Sequence, residues 1–78
     1  MRSPNISEDF IINQRKEIGA RLKAIRETIG YTLEQIQDLT GYDTYTLSKV
    51  EAGKWNYPIE YLIVITSALE VDIKLILK

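Results

Sequence analysis

Residues 32–53 read TLEQIQDLTGYDTYTLSKVEAG. Thr32 followed three positions later by Gln35 is a capping-box pattern, so a helix starts near Leu33. Ile36 and Leu39 give that helix a short apolar stripe, and Gly41 closes it. Asp43 then caps another helix, spanning 43–52 through Tyr45, Leu47 and Val50 and stopping at Gly53. Ile36, Tyr42, Leu47 and Val50 supply the apolar contacts that lock the second of these helices across the first. Its far face is thereby turned outward. Two short helices with one glycine between them are common, so this stretch needs support from its flanks.

Upstream, Ser7 can cap a helix whose first residues, Glu8 and Asp9, suit the positive end of the helix dipole. Ile11, Ile18, Leu22, Ile25 and Ile29 recur at spacings of 7, 4, 3 and 4, which marks one helical face, and Gly30 ends it. Downstream, Pro58 suits a first helical turn and opens an apolar helix through Leu69. Asp72 caps a last short helix ending at Leu77. The tail has a second reading: Val71, Ile73, Leu75 and Leu77 alternate as in a strand. Ile76 breaks that alternation and favours the helix. The expected organisation is a flexible tail at 1–6 and a single domain at 7–78, all-α with five helices.

At 78 residues there is room for one domain. A chain this short buries only roughly 60% of the surface it exposes when unfolded, so its core must be dense. With 45% hydrophobic residues and no cysteine, packing has to supply the stability, since no disulfide or thiolate zinc site can. The opening residues MRSPN lack the apolar run of a secretory signal, and no segment approaches the roughly 20 apolar residues of a bilayer span. The expected location is cytoplasmic, with no membrane partner. Formal net charge is −1, with six basic and six acidic side chains in 1–41 and four and five in 42–78. Any electropositive surface must therefore come from local arrangement.

The wider pattern sharpens the reading. Ile18–Gly19–Ala20–Arg21–Leu22–Lys23–Ala24–Ile25–Arg26, then Gly41, then Val50–Glu51–Ala52–Gly53–Lys54 and Pro58, resembles the Cro/CI-like (XRE-like) family of phage and bacterial repressors. Leu62, Ala68–Leu69–Glu70–Val71 and Asp72 continue the match, so it covers roughly residues 15–77. The Glu–x–Gly–Lys segment is its most specific part. The resemblance implies a five-helix lambda-repressor-like domain that binds double-stranded DNA and regulates transcription, with bacterial or phage origin.

It also implies roles. Helix 43–52 would enter a major groove, with Thr44, Tyr45 and Lys49 facing bases or nearby phosphates and Ser48 beside them. The start of the preceding helix, around Thr32 and Leu33, would offer backbone N–H groups to a phosphate. The loop Lys54–Trp55–Asn56–Tyr57 would lie along the DNA backbone, Lys54 and Asn56 being its polar contacts. Arg26 and Glu51 would form a structural ion pair between the first helix and the recognition helix.

Departures from the pattern point to modest affinity. Leu33 stands where many relatives have a glutamine that clamps phosphate. Gln37 replaces a small alanine at the helix crossing and must turn outward or find partners. Asp43 adds negative charge. Each of these positions also has a plainer reading: the outer residues of helix 43–52 can be an ordinary solvated face. Trp55 either touches sugar–phosphate or covers the core edge. Tyr42, Tyr57 and Tyr61 read as packing residues. Arg15, Lys16, Arg21, Lys23 and Arg26 interleave with Glu17 and Glu27, mostly as a solvated face.

Catalysis has little to stand on. There is no histidine for a triad or a metal site and no phosphate-cradling glycine loop, and Glu34 and Asp38 read as solvating carboxylates. The expectation is no enzyme, no cofactor and no metal. One helix reads a half-site too weakly alone, so a homodimer is expected, with the apolar run Ile73–Leu77 as its surface. The alternative is a protein-interaction module, antitoxin-like with a toxin partner or a scaffold, that kept the fold and lost DNA binding. The acidic balance, Leu33 and Asp43 favour it.

Overall fold

A computed structural model describes residues 6–77. Of the expected flexible tail at 1–6, only Ile6 falls among them. Five helices follow one another: α1 (Glu8–Ile29), α2 (Leu33–Thr40), α3 (Thr44–Ala52), α4 (Glu60–Leu69) and α5 (Lys74–Leu77). No strand occurs among the described residues, so the tail is helical.

Local capping sets most of the boundaries. The Ser7 side chain accepts from the Phe10 N–H at 3.0 Å. At α2 the capping box is complete: Thr32 Oγ1 accepts from Gln35 N–H at 3.1 Å, and Gln35 Oε1 accepts from Thr32 N–H at 2.8 Å. Asp43 Oδ1 accepts from Thr46 N–H at 2.7 Å, making Asp43 the cap and Thr44 the first residue of α3. Gly41 turns the chain between α2 and α3 at φ 83°, a left-handed conformation that costs a side chain roughly 1–2 kcal/mol.

The α4 boundary differs from expectation. Pro58 lies ahead of the helix, which begins at Glu60 with no side-chain cap. The Pro58 carbonyl accepts from Tyr61 N–H at 3.1 Å in a tighter i→i+3 turn. The half-buried Tyr57 and Tyr61, both packed on the core, set that turn rather than any capping residue.

The core consists of Leu22, Ile36, Leu47, Val50, Leu62, Ile65, Leu69 and Ile76. It sits between α1 on one side and α2, α3 and α4 on the other, and α5 closes it against α1. Two expected core positions, Ile11 and Ile29, are instead 46% exposed. The reason is length. A 22-residue helix is about 33 Å long, whereas the two shorter dimensions of the fold are 22 and 19 Å. Both ends of α1 therefore overhang.

Of the C-terminal run expected as a dimer surface, Ile76 is taken up by the fold itself. Ile76 is fully buried in this chain's own core, and its carbonyl accepts from Arg21 Nη1 at 2.8 Å. Of the apolar side chains in the expected run, Leu75 and Leu77 are exposed and Ile73 is half-buried. Arg21 is spent on this contact and on Glu17 at 3.3 Å, so it is part of the fold rather than a spare cation.

Candidate nucleic-acid interface

Three features hold α3 from beneath. Gly19 lets the backbone of α1 lie directly against the last turn of α3, because a Cβ there would collide with the carbonyl oxygens of Glu51 and Val50. Gly53, at φ 67°, does the same one step later against the backbone of Arg15 and Lys16. Arg26 then ties three segments together. Its Nε donates to Glu51 Oε2 at 2.7 Å, its Nη2 to Glu51 Oε1 at 3.0 Å, and its Nη1 to the Tyr31 carbonyl at 2.7 Å. Both partners of the pair are only 9% exposed. The Glu51 hydrogen bonds hold the Arg26 guanidinium above its ordinary pKa against the opposing effect of burial.

The turn between α2 and α3 is equally bound. Thr40 Oγ1 donates to the Ile36 carbonyl at 2.8 Å and accepts from Tyr42 N–H at 3.1 Å. Gln37, the residue that had to find partners, uses its Oε1 to accept from Thr44 N–H at 2.9 Å. That N–H belongs to the first turn of α3, where no intrahelical acceptor exists. The glutamine thus caps the next helix from across the turn.

On this base the outer face of α3 is displayed. Tyr45 is 70% exposed, Ser48 is exposed, and Thr44 and Lys49 are half-buried. Lys54 and Asn56 follow, both exposed, in the loop after α3. Lys49 is held rather than free: its Nζ lies 5.0 Å from the centre of the Tyr45 ring and 4.8 Å from that of Trp55. Cation–π attraction of this kind contributes roughly 0.5–1 kcal/mol where water has access. Trp55 is itself braced, edge-on to Tyr61 at 5.1 Å, while Tyr61 stacks on Tyr42 at 4.4 Å. Trp55 therefore covers the core edge, and its ring also touches the displayed lysine.

Thr32 N–H is consumed by the capping box. The Leu33 side chain is half-buried and packed on the core, so only backbone donors of the first turn are left for an anion there. Two features of this face were missed in the sequence, namely Gln37 holding Thr44 and Trp55 holding Lys49. Neither pair shares a helix, so no periodicity could reveal it.

Asp43 sits at the edge of the same face. Its hydrogen bonds from Thr46, backbone first, hold its pKa below the ordinary 3.8, with Lys49 adding to the shift. A depressed carboxylate pKa contributes stability that is present above the unfolded value and lost as pH falls through the folded one. We expect Asp43→Asn, which keeps a capping oxygen, to flatten the acid limb of the melting temperature below pH 3.8 while leaving neutral stability nearly unchanged. Thermal melts from pH 2 to 7 check this; an unaltered acid limb would remove Asp43 from the account.

A family model described as a helix-turn-helix domain matches residues 17–76, three-quarters or more of the chain. No curated protein matches it.

Proposed function

We propose, from the premise that this chain belongs to the helix-turn-helix domain family, that it is a sequence-specific double-stranded DNA-binding regulator of transcription. In this reading α3 enters the major groove, and a homodimer occupies a roughly palindromic operator and represses by occupying it. It acts in the cytoplasm by binding alone, without a catalytic step or cofactor.

The observation that carries the reading is the outward display of Tyr45, Ser48 and Lys49 on a helix clamped from beneath, with Lys54 and Asn56 alongside. Tyr45 offers a ring edge and hydroxyl to a thymine methyl or sugar. Lys49 offers a charge within reach of guanine acceptors or phosphate. No helix among the described residues is long and apolar enough to cross a membrane.

Fluorescence titration of the protein with genomic fragments at two salt concentrations tests the proposal. A DNA binder shows affinity falling with salt by about 0.9 log units per log unit of salt for each neutralised phosphate. Lys49→Ala is expected to weaken the specific complex by about 1–3 kcal/mol. If Lys49 sits on phosphate, the salt slope also falls by about one; if it reads guanine, selection at one base pair relaxes instead. Salt-independent or absent binding sinks the proposal.

A second reading, a protein-interaction module of the antitoxin or scaffold kind, draws on the net charge of −1 and on Asp43 at the edge of the displayed face. It predicts no salt-dependent DNA binding.

A further inference from the structure

At the first turn of α3, Asp43 Oδ1 takes the Thr46 N–H at 2.7 Å and Gln37 Oε1 takes the Thr44 N–H at 2.9 Å. A backbone N–H can only donate, so the atom that meets Thr44 has to be the amide oxygen of Gln37. The orientation of the amide is thereby decided. Its other half, Nε2 with two N–H groups, has no hydrogen-bond partner among the described residues, and Gln37 is exposed. These free donors stand one amide width from the first residue of α3. In a helix-turn-helix that is the end of the recognition helix that meets base edges.

We propose that Gln37 is a specificity-determining residue of the DNA face, donating from Nε2 to the O6 or N7 acceptor of one guanine. The inference rests on the DNA-binding reading of α3 and adds to it a base contact made from α2. Two observations select guanine. The first is the spent oxygen. A glutamine that reads adenine uses both ends of its amide, accepting from N6 and donating to N7. Gln37 cannot do so without releasing Thr44, so it offers donors only. Guanine is the base whose major-groove edge presents two acceptors and no donor. The second is charge. Asp43, the cap beside Thr44, is an exposed carboxylate. It disfavours a phosphate at this end of α3 far more than a neutral base edge. Since Gln37 stands where many relatives carry a small alanine, the contact is additional to those the family pattern implies.

Selection of duplexes from a random library by the wild type, Gln37→Met and Gln37→Glu, with parallel thermal melts, tests the proposal. The wild type is expected to select one G·C pair for which both variants lose their preference. Gln37→Met removes acceptor and donors together, so it should melt lower and bind the wild-type duplex about 3- to 10-fold less tightly. Gln37→Glu keeps an oxygen for the Thr44 N–H and sets a negative charge at the positive end of α3. Its melting temperature should therefore hold or rise. A stable fold without the G·C preference separates base reading from capping alone. In the selected duplex, 7-deazaguanine lacks N7 and 2-aminopurine lacks O6, and at least one of them should weaken the wild type while leaving Gln37→Met unaffected. Unaltered selection by Gln37→Met overturns the proposal. So does uniform weakening that keeps every base preference and follows a methylphosphonate substitution instead, which would assign Gln37 to a phosphate. A wild type that selects no duplex overturns the DNA-binding reading and this inference with it, whereas the other adverse results sink this inference alone.

Discussion

Glu51→Ala is expected to cost about 3–5 kcal/mol of folding free energy, enough to bring a domain of this size close to unfolding at room temperature. The loss is large because of what remains behind. Arg26 is 7% exposed, and its guanidinium is held by both carboxylate oxygens of Glu51 at 2.7 and 3.0 Å. Alanine removes both acceptors and leaves a largely buried cation whose one remaining hydrogen-bond acceptor is the Tyr31 carbonyl. Glu27 offers only a distant oxygen at 3.9 Å, on a side chain 59% exposed. Glu51→Gln should cost less, since the amide oxygen retains one of the two bonds. Replacing both partners together, Arg26→Met with Glu51→Leu, should recover much of the loss, because the stranded charge is the main penalty. Urea denaturation of the four proteins measures this. A loss under about 1 kcal/mol for Glu51→Ala would mean that the pair behaves as an exposed one.

Gly19→Ala should destabilise by about 1–3 kcal/mol and also weaken DNA binding. In an ordinary helix interior the same change stabilises by about 0.5–1 kcal/mol, so the sign itself is diagnostic. Gly19 is buried in the middle of α1, and its missing side chain is the space filled by the carbonyls of Val50 and Glu51. The obstructing atoms are backbone, so no rotamer change can relieve the overlap. α1 and α3 must move apart, and the displayed Tyr45–Ser48–Lys49 face then tilts relative to Lys54 and Asn56. The neighbouring Ala20 is exposed on the same helix, and Ala20→Gly serves as control. It should cost about 1 kcal/mol through helix propensity and leave DNA affinity unchanged. Parallel thermal melts and titrations decide, and a stabilised Gly19→Ala would show that the close approach is unimportant.

Much of the site was legible because its determinants are local. The turn between α2 and α3 is written in Thr32, Gln35, Gly41 and Asp43, each acting within three or four residues. The exposed face of α3 follows from burying Leu47 and Val50 three residues apart. What escaped was the partner of each displayed group. Lys49 meets Trp55 only because the aromatic cluster with Tyr42 and Tyr61 carries the loop back over α3. α4 also ends without a glycine, at Glu70 with φ 59°. There Val71 N–H bonds to the Thr66 carbonyl at 3.0 Å, and the Val71 side chain packs on the core.

The sequence by itself determined where most of these helices begin and end and which residues form the centre of the core. Caps and apolar periodicity act over one or two turns, within reach of neighbours along the chain. Only the tertiary structure decided that Ile76 belongs inside while Ile11 and Ile29 stay outside, and that Gln37 and Trp55 steady the face of α3. Those outcomes depend on how long α1 is relative to the layer it covers, and on contacts between segments that meet only when the helices have crossed.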